Sequence, residues 1–318
     1  MKKCYLILFM AFFVLIGCNE SPKNKKQENP EENAGVQIER LLPEVTEREA
    51  LAKEHYPELY GIYSGDFMIP ENDEEINYSR VEYGDYNKKI SLKFNRIIND
   101  TVYGHSITGG NQRPFVGTYD KTSNVFILNE PGDDKTDGKF ELQLKNDSIV
   151  GVWRVYQKKN VRIPKKELRL QRKVFAYDPN LMLDRDTDLI DWSSPKEFID
   201  SFVDSDTEEG EEENYSDVGY RVASELIFEI NASTQKLTEK DLKNLKKLDL
   251  EIIRNSVYAR HGYSFKKATY RYFFEMTDWY IPVSDNVDDQ LSVLEKENVV
   301  LLNRMIKYAE DHYDTFGR

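Results

Sequence analysis

Arg260 and His261 stand side by side in the run Arg254-Asn255-Ser256-Val257-Tyr258-Ala259-Arg260-His261-Gly262-Tyr263-Ser264-Phe265, and Trp279-Tyr280-Ile281-Pro282 follows shortly after. An imidazole can exchange a proton near neutral pH, and a neighbouring guanidinium can hold an anion. General-base catalysis asks for more: a nucleophile or positioned substrate within hydrogen-bond reach, and a partner orienting the other ring nitrogen. The sequence places no such group near His261, since His55 and His105 belong to the first half and His312 to the last turns. Zinc would want three or four ligands, and the chain has no His/Cys cluster. The run therefore reads as a binding element with no catalytic residue, metal or cofactor. Arg254, Asn255, Arg260, His261, Trp279 and Tyr280 are the candidate binding face, because Tyr, Trp and Arg suit surfaces where one edge stays wet. A purely structural reading competes with it, in which Trp279 anchors the core and Arg254 pairs with Glu251 along a helix. A hydrolase using His261 is the remaining alternative.

A second group of residues could hold calcium. Asp184-Arg185-Asp186-Thr187-Asp188 spaces carboxylates as the start of an EF-hand loop does, but the sixth and twelfth positions are Leu189 and Pro195. That loop needs glycine and a bidentate glutamate there, so only an irregular site using Asp184, Asp186, Asp188 and Asp191 stays open.

The elements around the Arg-His pair follow from periodicity. Thr238 is a plausible N-cap, with Glu239 and Asp241 in the first turn near the positive end of the helix dipole. Leu242, Leu245, Leu248, Ile252, Ile253 and Val257 lie close to helical spacing, which predicts one helix or two nearly continuous ones from about Glu239 to Arg260. Gly262 suits the left-handed position that ends a helix, with His261 as C-cap and Tyr263 brought against Tyr258 by a Schellman closure. Arg260 and His261 would then meet the exposed carbonyls of the last turn. Phe265, Tyr270, Tyr272, Phe273, Phe274 and Trp279 exceed what a small helical core usually holds. Leu291, Leu294, Leu301, Met305 and Ile306 predict a last helix packed on the motif helix.

The stretch from about Leu237 to Tyr308 resembles the bacterial YARHG domain, which takes its name from the residues found here as Tyr258 to Gly262. The resemblance implies a small extracytoplasmic module and names no reaction.

The N-terminus agrees with that location. Lys2 and Lys3 precede the apolar run Tyr5 to Ile16, and Gly17 stands directly before Cys18. This looks like a lipoprotein signal peptide, with an apolar run shorter than the ~20 residues of a spanning helix. By resemblance to bacterial lipoproteins, cleavage leaves Cys18 first and acylated, which ties the protein to the membrane. Asn19, where aspartate would retain a lipoprotein at the inner membrane of some bacteria, favours the outer membrane. Residues 18–45 then form a lipidated tether, rich at first in Lys, Glu, Asn and Pro.

Between Leu59 and Leu170 the apolar residues alternate, as in Ile90, Leu92 and Phe94, or Phe140, Leu142 and Leu144. Period two means half-buried antiparallel strands. Asn99-Asp100, Asp120 to Asn124 and Asn146-Asp147-Ser148 supply turns. An apolar-x-Gly-x-aromatic pattern repeats around Gly65, Gly117 and Gly151, as if to bend the strands toward closure in a barrel that loosely resembles a lipocalin. Such a barrel either carries a small apolar ligand or is filled by its own side chains.

The fold class expected is a two-domain α+β protein, with an antiparallel β-meander or barrel at 46–177 and a small helical domain at 219–318. Residues 1–17 are the signal peptide, and 178–218, with the run Asp204 to Glu213, an acidic spacer. Removing residues 1–17 takes away Lys2 and Lys3 and moves the formal charge from −13 to −15, which disfavours nucleic acid as a partner. The cysteines are Cys4 and Cys18, so the mature chain has no disulfide to form. The function expected is non-catalytic binding of an envelope protein or glycan.

Overall fold

A computed structural model gives the fold and describes residues 53–82, 85, 88–159, 161–203 and 212–313. Cys18, the tether and residues 204–211 of the acidic run lie outside the described residues.

Eight strands form an antiparallel meander that closes on itself: β1 (Gly61–Met68), β2 (Lys88–Ile98), β3 (Thr101–Thr108), β4 (Asn111–Asp120), β5 (Val125–Asn129), β6 (Gly138–Lys145), β7 (Ser148–Val155) and β8 (Lys165–Lys173). Each strand pairs with the next, and β8 returns to β1 with Leu170 opposite Gly65. Period two explains the closure, because alternate residues point inward and fill the lumen. Tyr63, Ile90, Leu92, Phe94, Phe115, Phe126, Phe140 and Leu168 are all at most 1 % exposed. Rings dominate the packing, with Phe94 stacked on Phe126 at 4.9 Å and Phe126 on Tyr119 at 4.5 Å. The lumen is thus occupied by the protein's own side chains.

The turns fall where Asn and Asp predict them. Asn99, Asp100, Asn124 and Asn146 all adopt positive φ, which these residues tolerate better than most. The repeated glycine has a steric cause: a Cβ at Gly117 would stand 1.9 Å from the Ile127 carbonyl oxygen of the neighbouring strand.

The C-terminal region has four helices: α1 (Glu239–Leu242), α2 (Lys247–Arg260), α3 (Ala268–Glu275) and α4 (Val293–Tyr313). The first two fill the span from Glu239 to Arg260 as two nearly continuous helices, separated at residues 243–246. Thr238 donates its N–H and hydroxyl to Asp241 at 2.8 and 2.7 Å, and Asp249 accepts the Lys246 N–H at 3.0 Å at the start of α2. Leu250, Ile253 and Val257 of α2 meet Val299, Leu302 and Met305 of α4 in one core. Leu248, Ile252 and Ala259 meet Phe265, Phe273, Phe274 and Tyr280 in another.

The segment expected to be a spacer carries structure. Strands β9 (Lys196–Val203) and β10 (Glu212–Gly219) pair in a separate two-stranded sheet. Upstream of them, Leu183 and Asp191 are buried against the helical region. A count of charges misses this because Asp191, fully buried, bonds Arg221 and Thr269, each at 3.0 Å.

The two regions touch. Lys89 of β2 donates to the carbonyls of Thr277 and Tyr280 at 2.7 and 3.1 Å, and the Gly110 N–H at the β3–β4 turn bonds Ser264 Oγ at 3.0 Å. Among the described residues no helix is long and apolar enough to cross a membrane.

Candidate functional site

Helix α2 ends as its residues dictate. Gly262 has φ +74°, its N–H bonds the Ala259 carbonyl at 2.9 Å, and the Tyr263 N–H bonds the Tyr258 carbonyl at 3.0 Å. These are the two bonds of a Schellman closure, and the rings of Tyr258 and Tyr263 lie 5.9 Å apart across it.

The side chains of the motif turn away from solvent. Arg260 is 1 % exposed, so the expectation that it caps open carbonyls at the helix end is corrected. Its Nε donates to the Leu181 carbonyl at 2.6 Å, one terminal nitrogen to Ser233 Oγ at 3.1 Å, and the other lies 3.2 Å from the Met182 sulfur. These acceptors are neutral, and burial brings the guanidinium down to about 10.

His261 is 4 % exposed and lies under the ring of Tyr177, at 4.3 Å and nearly parallel. Its Nε2 stands 3.0 Å from Glu295 Oε2, and the Tyr177 hydroxyl donates to Glu295 Oε1 at 3.0 Å. Burial opposes the charge on Glu295, yet hydrogen bonds from His261, Ser233 and the Ser292 N–H outweigh it and hold the carboxyl at about 2. An ionised carboxylate only accepts, so Nε2 carries the proton. The same Glu295 caps α4: it accepts the Ser292 N–H at 2.8 Å, and its own N–H bonds Ser292 Oγ at 3.2 Å. Ser292-Val293-Leu294-Glu295 is a capping-box signature, the signal that could have found this partner of His261.

The six candidate residues do not share an exposed face. Asn255 and Tyr280 are buried at 5 % and 1 %, with Asn255 donating to the Glu251 carbonyl at 2.7 Å and Tyr280 to the Tyr263 carbonyl at 2.7 Å. Arg254 reaches Asn303 at 2.8 Å and Tyr270 at 3.3 Å, in place of the expected Glu251. Glu251 instead bonds Arg221 at 2.9 Å. Trp279 is half-buried and donates from Nε1 to the Met182 carbonyl at 2.8 Å. What the structure does bring together is Arg260, His261, Gly262 and Trp279, all against one stretch of chain, Phe175 to Leu183.

Asp191, considered above for calcium, is taken by Arg221, and Asp188 accepts the Trp192 indole N–H at 2.6 Å. Among the described residues no cluster of His, Cys, Asp and Glu is arranged to hold a metal.

A second site lies at one mouth of the barrel, where a cavity of about 480 Å³ opens beside Phe67, Phe140, Trp153, Glu130, Arg162 and Lys166. Its lining mixes rings with charges. Glu130 is one of two buried carboxyls there, beside Asp85, and accepts from Ser106 Oγ at 2.7 Å, the Gly138 N–H at 2.8 Å and Trp153 Nε1 at 3.1 Å. Burial dominates these bonds and lifts it to about 7. No residue spacing announces this group.

No curated protein and no solved structure matches the chain. The helix stop, the buried arginine and histidine, Trp279 and Glu295 all fall within residues 225–307, which match the YARHG domain family, so this part of the protein is a YARHG domain.

Proposed function

We propose that the protein is a non-catalytic binding protein of the bacterial cell envelope, anchored by lipid on Cys18, most suitably at the outer membrane, with the YARHG domain as its interaction module for an envelope protein or glycan. One observation carries the binding reading: Arg260 and Trp279 aim N–H donors at main-chain carbonyls of a segment outside the domain, while His261 is enclosed between Tyr177 and Glu295. Donors that meet carbonyls are recognition chemistry, and an imidazole at 4 % exposure has no room for a reactant. The anchor is supported by Lys2, Lys3, the apolar run to Ile16 and Gly17-Cys18.

Complementation of a deletion strain tests the binding reading. His261→Gln places an amide nitrogen near the position of Nε2 without a titratable ring, and should complement at least in part, since the donors of Arg260 and Trp279 remain while the ring that stacks on Tyr177 is lost. Complete loss of function in a His261→Gln protein with a native thermal melt would instead establish imidazole chemistry. Metabolic labelling with a fatty acid should mark the wild type and not Cys18→Ser, and equal labelling of both would remove the anchor.

The barrel-mouth cavity favours a second reading, a carrier of a small amphiphile. A volume of about 480 Å³ lies within the range of small-molecule sites, and rings beside paired charges suit a ligand with one polar end. Native mass spectrometry of protein from its own host tests it: a mass above that of the lipidated chain supports a carrier, and the bare mass removes it.

A further inference from the structure

The stretch Phe175-Ala176-Tyr177-Asp178-Pro179-Asn180-Leu181-Met182-Leu183 belongs to neither ordered unit. It starts after β8 has ended at Lys173, it contains no helix or strand, and it lies outside residues 225–307. It nevertheless contacts the YARHG domain through Tyr177, Pro179, Leu181, Met182 and Leu183. The Tyr177 ring stacks on His261 and its hydroxyl reaches Glu295. Asp178 Oδ1 accepts the Asn180 N–H at 2.9 Å, which turns the chain at Pro179 and Asn180. The turn presents carbonyls outward: Pro179 to Asn231 Nδ2 at 2.8 Å, Leu181 to Arg260 Nε at 2.6 Å, and Met182 to Trp279 Nε1 at 2.8 Å. Leu183 then enters the core at 4 % exposure.

We propose that the YARHG motif builds a peptide-recognition site and that residues 175–183 are its resident ligand in this chain. This rests on the reading of the domain as a binding module and names the partner class: a polypeptide segment with a tyrosine, an Asp-Pro-Asn turn and apolar residues after it. Three side-chain donors read three main-chain carbonyls, which fixes the path of a bound segment whatever its neighbouring residues. The tyrosine and the last leucine add selectivity, through a ring pocket and an apolar one. Tyr177 remains 41 % exposed, so the tyrosine end of the strap lies over the domain surface, while Leu183, in the core with Ile252, Phe265 and Phe273, is its fixed end. Joined at both ends, the strap sees its site at a high effective concentration and holds it against a peptide in solution.

The test is fluorescence anisotropy with a labelled synthetic peptide of residues 174–184 and the full chain in detergent. Tyr177→Ser removes the ring and hydroxyl of the strap, leaving the domain side of the site intact. This variant should bind the peptide at least about tenfold tighter than the wild type, whose own strap competes. A peptide with serine at the tyrosine position should bind the variant about tenfold more weakly than the native peptide, and Arg260→Lys in the Tyr177→Ser background should weaken binding too, because a lysine cannot span the same acceptors. Should Tyr177→Ser lose its native melt, Tyr177→Phe gives up the bond to Glu295 alone and should bind at an intermediate level. Equal binding by the wild type and whichever variant stays folded, or equal binding of the native and serine peptides, overturns the proposal. Rescue by His261→Gln with no peptide binding would keep the domain a binding module and remove a polypeptide as what it binds.

Discussion

Glu130 and Glu295 are both withdrawn from solvent, yet their carboxyls move in opposite directions, to about 7 and about 2. At Glu130 burial outweighs the bonds from Ser106, Trp153 and Gly138; at Glu295 the bonds from His261, Ser233 and the Ser292 N–H outweigh burial. The pH consequences are opposite too. Folded protein holds an extra proton at Glu130 between its ordinary 4.5 and about 7, so this group makes stability fall as pH rises through that window, by roughly 3 kcal/mol when complete. Glu295 contributes stability above 4.5 that is lost as pH falls toward 2. Urea melts at pH 5 and pH 8 should therefore differ less for Glu130→Gln than for the wild type, since an amide does not titrate. An unchanged difference would show that Glu130 ionises freely in the fold. Glu130 was not legible as special, because Ser106 and Trp153 reach it from β3 and β7, whereas Glu295 carried the local signal of its capping box with Ser292 and lacked only its distant partner His261.

At the scale of elements, local chemistry was legible. Asn99-Asp100 and Asn146 turn where their tolerance of positive φ predicts, and the alternation of Ile90, Leu92 and Phe94 put all three in the barrel lumen. The stop at Gly262 was legible for the same reason, as a requirement of three consecutive residues. Adding a side chain there should be costly: alanine at φ +74° is strained, and its Cβ would stand 2.5 Å from Val283 Cγ2 and 2.9 Å from Phe175. Gly262→Ala is expected to lose about 2 to 4 kcal/mol in denaturant melts followed by helical circular dichroism, and a loss under about 0.5 kcal/mol would mean that the helix end relaxes freely. The hairpin of β9 and β10 escaped sequence reading, because the acidic residues beside it obscured a short strand pair.

Over the whole molecule, a filled barrel and a helical YARHG domain are held together by Lys89, the β3–β4 turn and the strap of residues 175–183. Composition could place the two units, but not the strap: it has no periodicity, and what the domain reads in it is mainly backbone carbonyls, which every sequence possesses. The candidate face was therefore legible in its residues and not in its direction, since Arg260, His261 and Trp279 point at the chain itself. If the motif is a recognition site with a resident segment, the strap opens while the helices beneath stay folded. Hydrogen exchange of the Trp279 indole N–H, followed by NMR in the full-length protein, tests this most directly, because that proton is held by the Met182 carbonyl of the strap. It should exchange at least about tenfold faster than the buried α2 amides of Ile253 and Val257. Exchange of all three at one rate would contradict the account and make the strap an inseparable part of the core.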